Sequence, residues 1–189
     1  LLPLYLTLEE TYEFIHACAV EVDSSTILFI APSHGGKSTL TDLFVRRGHP
    51  LVSDDKVATF YGQGTHWAVP SHPNHRPYRK FEDLGMRVDR FDPRARPVDA
   101  VYRLVRAVPG AAVSIREVHG HGKFADMLPN VLFNFSHLNA RRMTYLAQMA
   151  GVITHELGHS FNLAHTQTNG HIVMYGGWTP LTAGPLDCS

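Results

Sequence analysis

Eight consecutive residues, Ala31-Pro32-Ser33-His34-Gly35-Gly36-Lys37-Ser38, have the types and order needed to hold a run of phosphates. Glycines let a backbone turn its N–H groups toward an anion, a lysine adds a fixed cation, and the hydroxyl that follows is a hard ligand suited to Mg2+. With Thr39 they form a candidate nucleotide-binding set. Ala31 stands where the pattern usually has glycine, which strains the turn without removing a donor. Asp54 and Asp55 supply paired carboxylates that can meet a metal on the phosphates or take a proton from an attacking hydroxyl. A second run, HELGHSFNLAH at 155–165, carries different chemistry. His155 and His159 are four apart, so on a helix both face one way and can share a Zn2+. Glu156 stands beside them as a base for a metal-bound water, and Asn162 tolerates the left-handed turn that would bring in His165 as third ligand. A plain glycine turn, an acidic pair in a solvated bend and an amphipathic helix with polar histidines are the alternative readings.

These residues need elements to position them. The continuously apolar run TILFI at 26–30 reads as a strand buried on both faces, with FIHACAVEV at 14–22 as a strand before it and Asp23-Ser24-Ser25 as the turn between. A helix is expected from Lys37, with Leu40, Leu43 and Phe44 inward and Gly48 as its stop, followed by a strand over 50–53. Strand, glycine loop and helix thus fall in the order a phosphate site requires. Residues 61–97, rich in Gly, Pro, His and Arg, read as a long irregular excursion. Strands are expected at 98–105 and 113–118, joined across Pro109-Gly110. A short helix should run from Gly122 to Leu128, and a longer one from an Asn139 cap through Met143, Leu146 and Met149. A change of composition at 150–153 marks a seam.

At 189 residues the chain suits one well-cored domain and is short for two complete enzymes. With 17 basic and 17 acidic residues it shows no electrostatic footprint for nucleic acid or an anionic membrane. Cys18 and Cys188 give neither a disulfide framework nor a thiolate zinc site, and a reducing compartment fits them. The opening LLPLYLTLEE lacks a basic start and runs into acidic residues, so it does not read as a signal peptide, and no stretch is long enough to span a bilayer. The absence of an initial Met is what a fragment or processed chain would show. Of the 13 histidines, His66, His72, His75, His119 and His121 lie in Pro/Gly/Asn-rich stretches without ligand spacing and read as solvated loop residues.

The run IHACAVEVDSSTILFIAPSHGGKSTLTDLFVRRGHPLVSDDKVA, with PVDAVYRLVRAVPGAAVSIREV and KFADML later, resembles the HPr kinase/phosphorylase family and its smaller HPr-kinase-like relatives, over about residues 12–150. The resemblance implies an α/β fold, a P-loop kinase-like sheet with flanking helices, that uses ATP and Mg2+ to phosphorylate a Ser of a peptide or protein. In it Lys37 and Ser38 would hold phosphate and metal, Asp54 and Asp55 would serve as base and metal ligand, with Ser38 and Asp55 on Mg2+, and His16 would assist. Thr39 departs from the acidic residue usual in the regulatory kinases.

The stretch 152–178, with HELGHSFNLAH and a turn at HIVMYG, resembles the metzincin zinc metallopeptidases. The expected organisation is therefore a nucleotide-binding domain over 1–151 and a zinc-binding segment over 152–189, ending in a zinc-protease-like helix and turn. The first reading is an ATP-dependent kinase placed in the cytoplasm, without nucleic-acid or membrane partners and with a homo-oligomer left open. A zinc endopeptidase, which would be secreted, and a nucleotide- or zinc-binding module without turnover are the alternatives.

Overall fold

Residues 27–30 are almost fully buried, as a strand covered on both faces must be, and the sheet is built outward from them. The computed structural model describes residues 1–77, 85–106, 112–135, 138–152 and 174–176. The strands are β1 (Glu13–Ile15), β2 (Ala17–Val22), β3 (Ser25–Ile30), β4 (Leu51–Ser53), β5 (Val57–Gly62), β6 (Thr65–Val69), β7 (Asn74–His75), β8 (Met86–Arg87), β9 (Arg96–Arg106) and β10 (Met174–Gly176). The helices are α1 (Leu2–Leu8), α2 (Lys37–Arg46), α3 (His121–Met127) and α4 (Asn139–Val152). This is a mixed α/β fold. Its eight-stranded sheet has the order β1-β5-β6-β9-β3-β2-β4, with β10 paired to β9, while β7 and β8 form a small ribbon.

Two tight hairpins set the register. Val22 faces Ser25 across Asp23 and Ser24, which have φ of 48° and 70°, and Gly62 faces Thr65 across Gln63 and Gly64, with φ of 55° and 81°. Positive φ at both central residues gives the turn whose twist matches that of the strands it joins. β9 joins the two halves of the sheet, running parallel to β3 and antiparallel to β6. Helix α2 lays Phe44 on the sheet, its ring stacked 5.5 Å from that of Phe29. Burial of such a ring is worth roughly 1.5–3 kcal/mol. Gly48, with φ of 89°, closes the helix end.

Several expectations are corrected. The excursion at 61–97 contains the hairpin β5–β6 and the ribbon β7–β8, so it is far more regular than its composition implied. No strand forms over 112–118. β9 pairs instead with β3 along 98–103, with β6 at 96–97 and with β10 at 104–106. In α4, Leu146 and Met149 are buried as expected, whereas Met143 is exposed and Arg142 takes the inward position, 3.1 Å from Glu13. Leu40, Phe44 and Val45 of α2 pack on the core, and Leu43 is only half-buried. Met174–Gly176, expected as part of a turn, is extended and pairs in parallel with Leu104–Arg106. Among the described residues no helix is long and apolar enough to cross a membrane.

Candidate functional site

β3 delivers the chain at Ala31 into a loop that ends at the start of α2, so the phosphate-type loop hangs between a buried strand and a helix N-terminus. Gly35 is required by crowding: a Cβ there would stand 2.6 Å from Ala31 Cβ and 2.8 Å from the Pro32 carbonyl oxygen. The Ala31 side chain and the Pro32 carbonyl therefore make glycine obligatory at position 35. Gly36 caps the helix with φ of 92°, a conformation that L side chains resist, and His34 is also left-handed, with φ of 62°. Pro32, Ser33, His34 and Thr39 are exposed, whereas Ala31 and Lys37 are buried. Lys37 folds back across the loop and its Nζ donates to the Ala31 carbonyl at 2.9 Å. Backbone amides at a helix start plus a buried ammonium make the loop electropositive.

The acidic pair follows β4, and the two carboxylates have different surroundings. Asp54 is 6% exposed and its oxygens are occupied. Oδ1 accepts from the Cys18 thiol at 3.1 Å and lies 3.5 Å from the Ser38 hydroxyl, while Oδ2 accepts from the Arg76 amide at 2.8 Å and lies 3.1 Å from His75 Nδ1. Burial pushes this carboxyl up, but His75, the Arg76 amide and the Cys18 thiol together outweigh it and hold Asp54 well below the usual carboxylate range. Burial first, and then the Asp54 carboxylate, push the Cys18 thiol up to about 12, so it stays a neutral donor rather than a nucleophile.

Asp55 occupies a tight turn in which the Lys56 amide donates to the Asp54 carbonyl at 2.8 Å, and its φ is 67°. Left-handed backbone is uncommon at a non-glycine residue, and aspartate is among those that tolerate it best. Its Oδ1 lies 3.4 Å from His16 Nε2. His16 sits between β1 and β2 with its amide donating to the Asn130 carbonyl at 2.7 Å, which fixes the ring's starting point. Asp55, His16, Lys37, Ser38 and Arg76 line a common open cleft of about 380 Å³. The structure thus brings together the loop, the acidic pair and His16, all named from the sequence.

Three participants, His75, Arg76 and Cys18, were not legible as such. His75 and His66, read as solvated loop residues, are 1% and 0% exposed. His75 lies on β7 with Nδ1 toward Asp54 and Nε2 3.9 Å from Asp42 of α2, while His66 faces the core from β6. Arg76 and Cys18 carried no motif at all. His155, Glu156, His159 and His165 lie outside the described residues. Among the described residues no three His, Cys, Asp or Glu side chains form a group that could hold a metal ion. The donors near the loop are nevertheless of the right class for Mg2+: a hydroxyl and carboxylates, with the remaining positions left to phosphate oxygens and water.

No family model matches the sequence, and no curated protein matches it. Among solved structures the chain is similar to the HPr(Ser) kinase/phosphatase from Coxiella burnetii, at 17% identity and a TM-score of 0.42, over 71% of this chain and 93% of that one.

Proposed function

We propose that the cleft binds Mg·ATP and transfers its terminal phosphoryl group to a hydroxyl, with Ser of a peptide or protein as the acceptor. The observation that carries this reading is the convergence of Lys37 and Ser38 of the loop with Asp55 and His16 around one opening, with Asp54 buried 3.5 Å from the Ser38 hydroxyl. The loop amides from Gly36 to Ser38 and the Lys37 ammonium hold the phosphates, while the Gly35 amide closes the loop on the Pro32 carbonyl at 2.9 Å. Ser38, with Asp54 3.5 Å away, would hold Mg2+, which would supply positive charge to neutralise the phosphates.

The two acids divide the work. A good base has a pKa near the working pH, so Asp54, kept strongly acidic, is a poor proton acceptor and a good metal-facing carboxylate. Metal duty, first expected of Asp55, falls to Asp54 in this reading. Asp55 opens on the cleft beside His16 and takes the proton from the acceptor hydroxyl as its oxygen attacks phosphorus. The product nucleotide leaves as the opposite bond breaks, in line with the attack. The N-terminal position of α2 matters here because its dipole favours the charge that gathers on the transferred group.

Incubation with Mg·ATP labelled in the terminal phosphate, together with a pool of Ser-containing peptides, tests this. Label should pass to Ser in wild type and fall steeply in Asp55→Asn with nucleotide affinity retained. Nucleotide binding with no transfer to any hydroxyl would remove the kinase step and leave a binding module.

A further inference from the structure

We infer that Arg76 is a second fixed cation of the cleft, standing against the terminal phosphate of a bound nucleoside triphosphate; this rests on the polyphosphate reading above. Arg76 lines the same opening as Lys37, Ser38 and Asp55. Two consecutive residues meet one oxygen: the Arg76 amide donates to Asp54 Oδ2 at 2.8 Å, and His75 Nδ1 stands 3.1 Å from it. The other oxygen of that carboxylate faces Ser38. The backbone at Arg76 is thereby held at a set position relative to the hydroxyl that meets metal and phosphate. Its place is on the acidic side of the loop, where the transferred group must stand if Asp55 is to reach the acceptor.

The side chain is restrained as well. Gly85, with φ of 90°, lies so close that a Cβ there would stand 2.3 Å from Arg76 Cγ and 2.7 Å from the His75 carbonyl oxygen. Backbone therefore packs against the arginine stem. Such anchoring costs burial of an imidazole whose ring nitrogens make no aligned hydrogen bond among the described residues, an expense that a mere connection does not require. Arg94, Arg96, Arg103 and Arg142 each pair with a carboxylate, whereas Arg76 has no ion-pair partner among the described residues. Lys37 already gives a hydrogen bond to Ala31. A triphosphate beside Asp54 and Asp55 needs further positive charge, and a guanidinium fork matches two phosphate oxygens at once.

Calorimetric titration of Mg·ATP and Mg·ADP into wild type, Arg76→Ala, Arg76→Lys and Arg87→Ala tests the assignment, Arg87 being an exposed arginine outside the cleft. A charge-assisted bond lost to the terminal phosphate should weaken ATP affinity about tenfold or more in Arg76→Ala and ADP affinity much less. Arg76→Lys should recover part of the loss, and Arg87→Ala should match wild type. Unchanged ATP affinity in Arg76→Ala, or ATP and ADP affinities falling together, would overturn the inference while leaving the nucleotide site standing. Wild type that binds neither nucleotide would overturn both.

Discussion

His75 sits between two carboxylates, Asp54 and Asp42, whereas His66, equally buried, sits between two phenol rings, with centroids 4.9 Å from Tyr61 and 4.7 Å from Tyr145. Neither imidazole makes an aligned hydrogen bond among the described residues. Burial in the first place arranges charge around the phosphate loop, and burial in the second excludes charge so that α4 can pack on the sheet. Burial pushes the His66 pKa down to about 4, because nothing charged offsets the loss of water. The difference separates two kinds of defect: changes near His75 and the loop should impair ligand handling, while changes near His66 should loosen the fold.

The largest effect is expected from Asp55→Asn, which should cut phosphoryl transfer by about 10²–10⁴-fold with little change in melting temperature, read by transfer assay and calorimetry on the same sample. Equal loss of stability would blur the contrast, because Asp55 would then be holding the turn rather than taking a proton. Lys37→Ala should come next, weakening Mg·ATP binding by roughly 10–100-fold for one charge-assisted contact. Lys37→Met, which strips the Ala31 carbonyl of its donor in the same way but keeps the side-chain volume, separates the loss of packing from the loss of charge and hydrogen bond.

For His66 the sign follows from its lowered pKa. The folded state prefers the neutral ring, so its contribution is fully present above the ordinary value near 6.5 and is lost as pH falls from there toward about 4. Wild type should lose on the order of 2–3 kcal/mol over that window, and His66→Phe should flatten this part of the profile, as followed by urea unfolding at several pH values. An unchanged slope would show that His66 is hydrated in the folded protein. The smallest effect should be that of Tyr145→Phe, which deletes the 2.7 Å hydrogen bond to Thr59 Oγ1 at a cost of about 1 kcal/mol, with nucleotide binding untouched.

The region around the loop was legible because its signals are local. TILFI, APSHGGKS and the acidic pair are contiguous patterns whose chemistry and backbone needs are written in one short stretch. Position 16 became interesting through resemblance, and the 3.4 Å contact with Asp55 gives it a geometric role. His75 and Arg76 were hidden for the opposite reason. They reach the site from distant sequence, through an amide bonded to Asp54 and a ring nitrogen beside it, and amide hydrogen bonds leave no trace in residue type. β6 was missed because its inward positions are His66 and Ala68, so alternation lacked the large apolar residues that mark a strand. Arg142 misled in the same way, since a buried ion pair with Glu13 put a charge where periodicity wanted a hydrophobe.

β9 has a kinetic consequence. The strand that carries the phosphate loop, residues 26–30, is completed by a partner at 98–103, some seventy positions later. Until that partner arrives, β3 has one open edge, and closing so long a loop costs entropy before any ladder bond repays it. During synthesis the hairpin of 17–30 can form early, but the scaffold behind the loop is complete only after residue 103 has left the ribosome. The rate of acquiring nucleotide affinity on refolding should then follow β3–β9 pairing, and a chain ending before residue 96 would expose a long apolar strand edge prone to pairing with other chains.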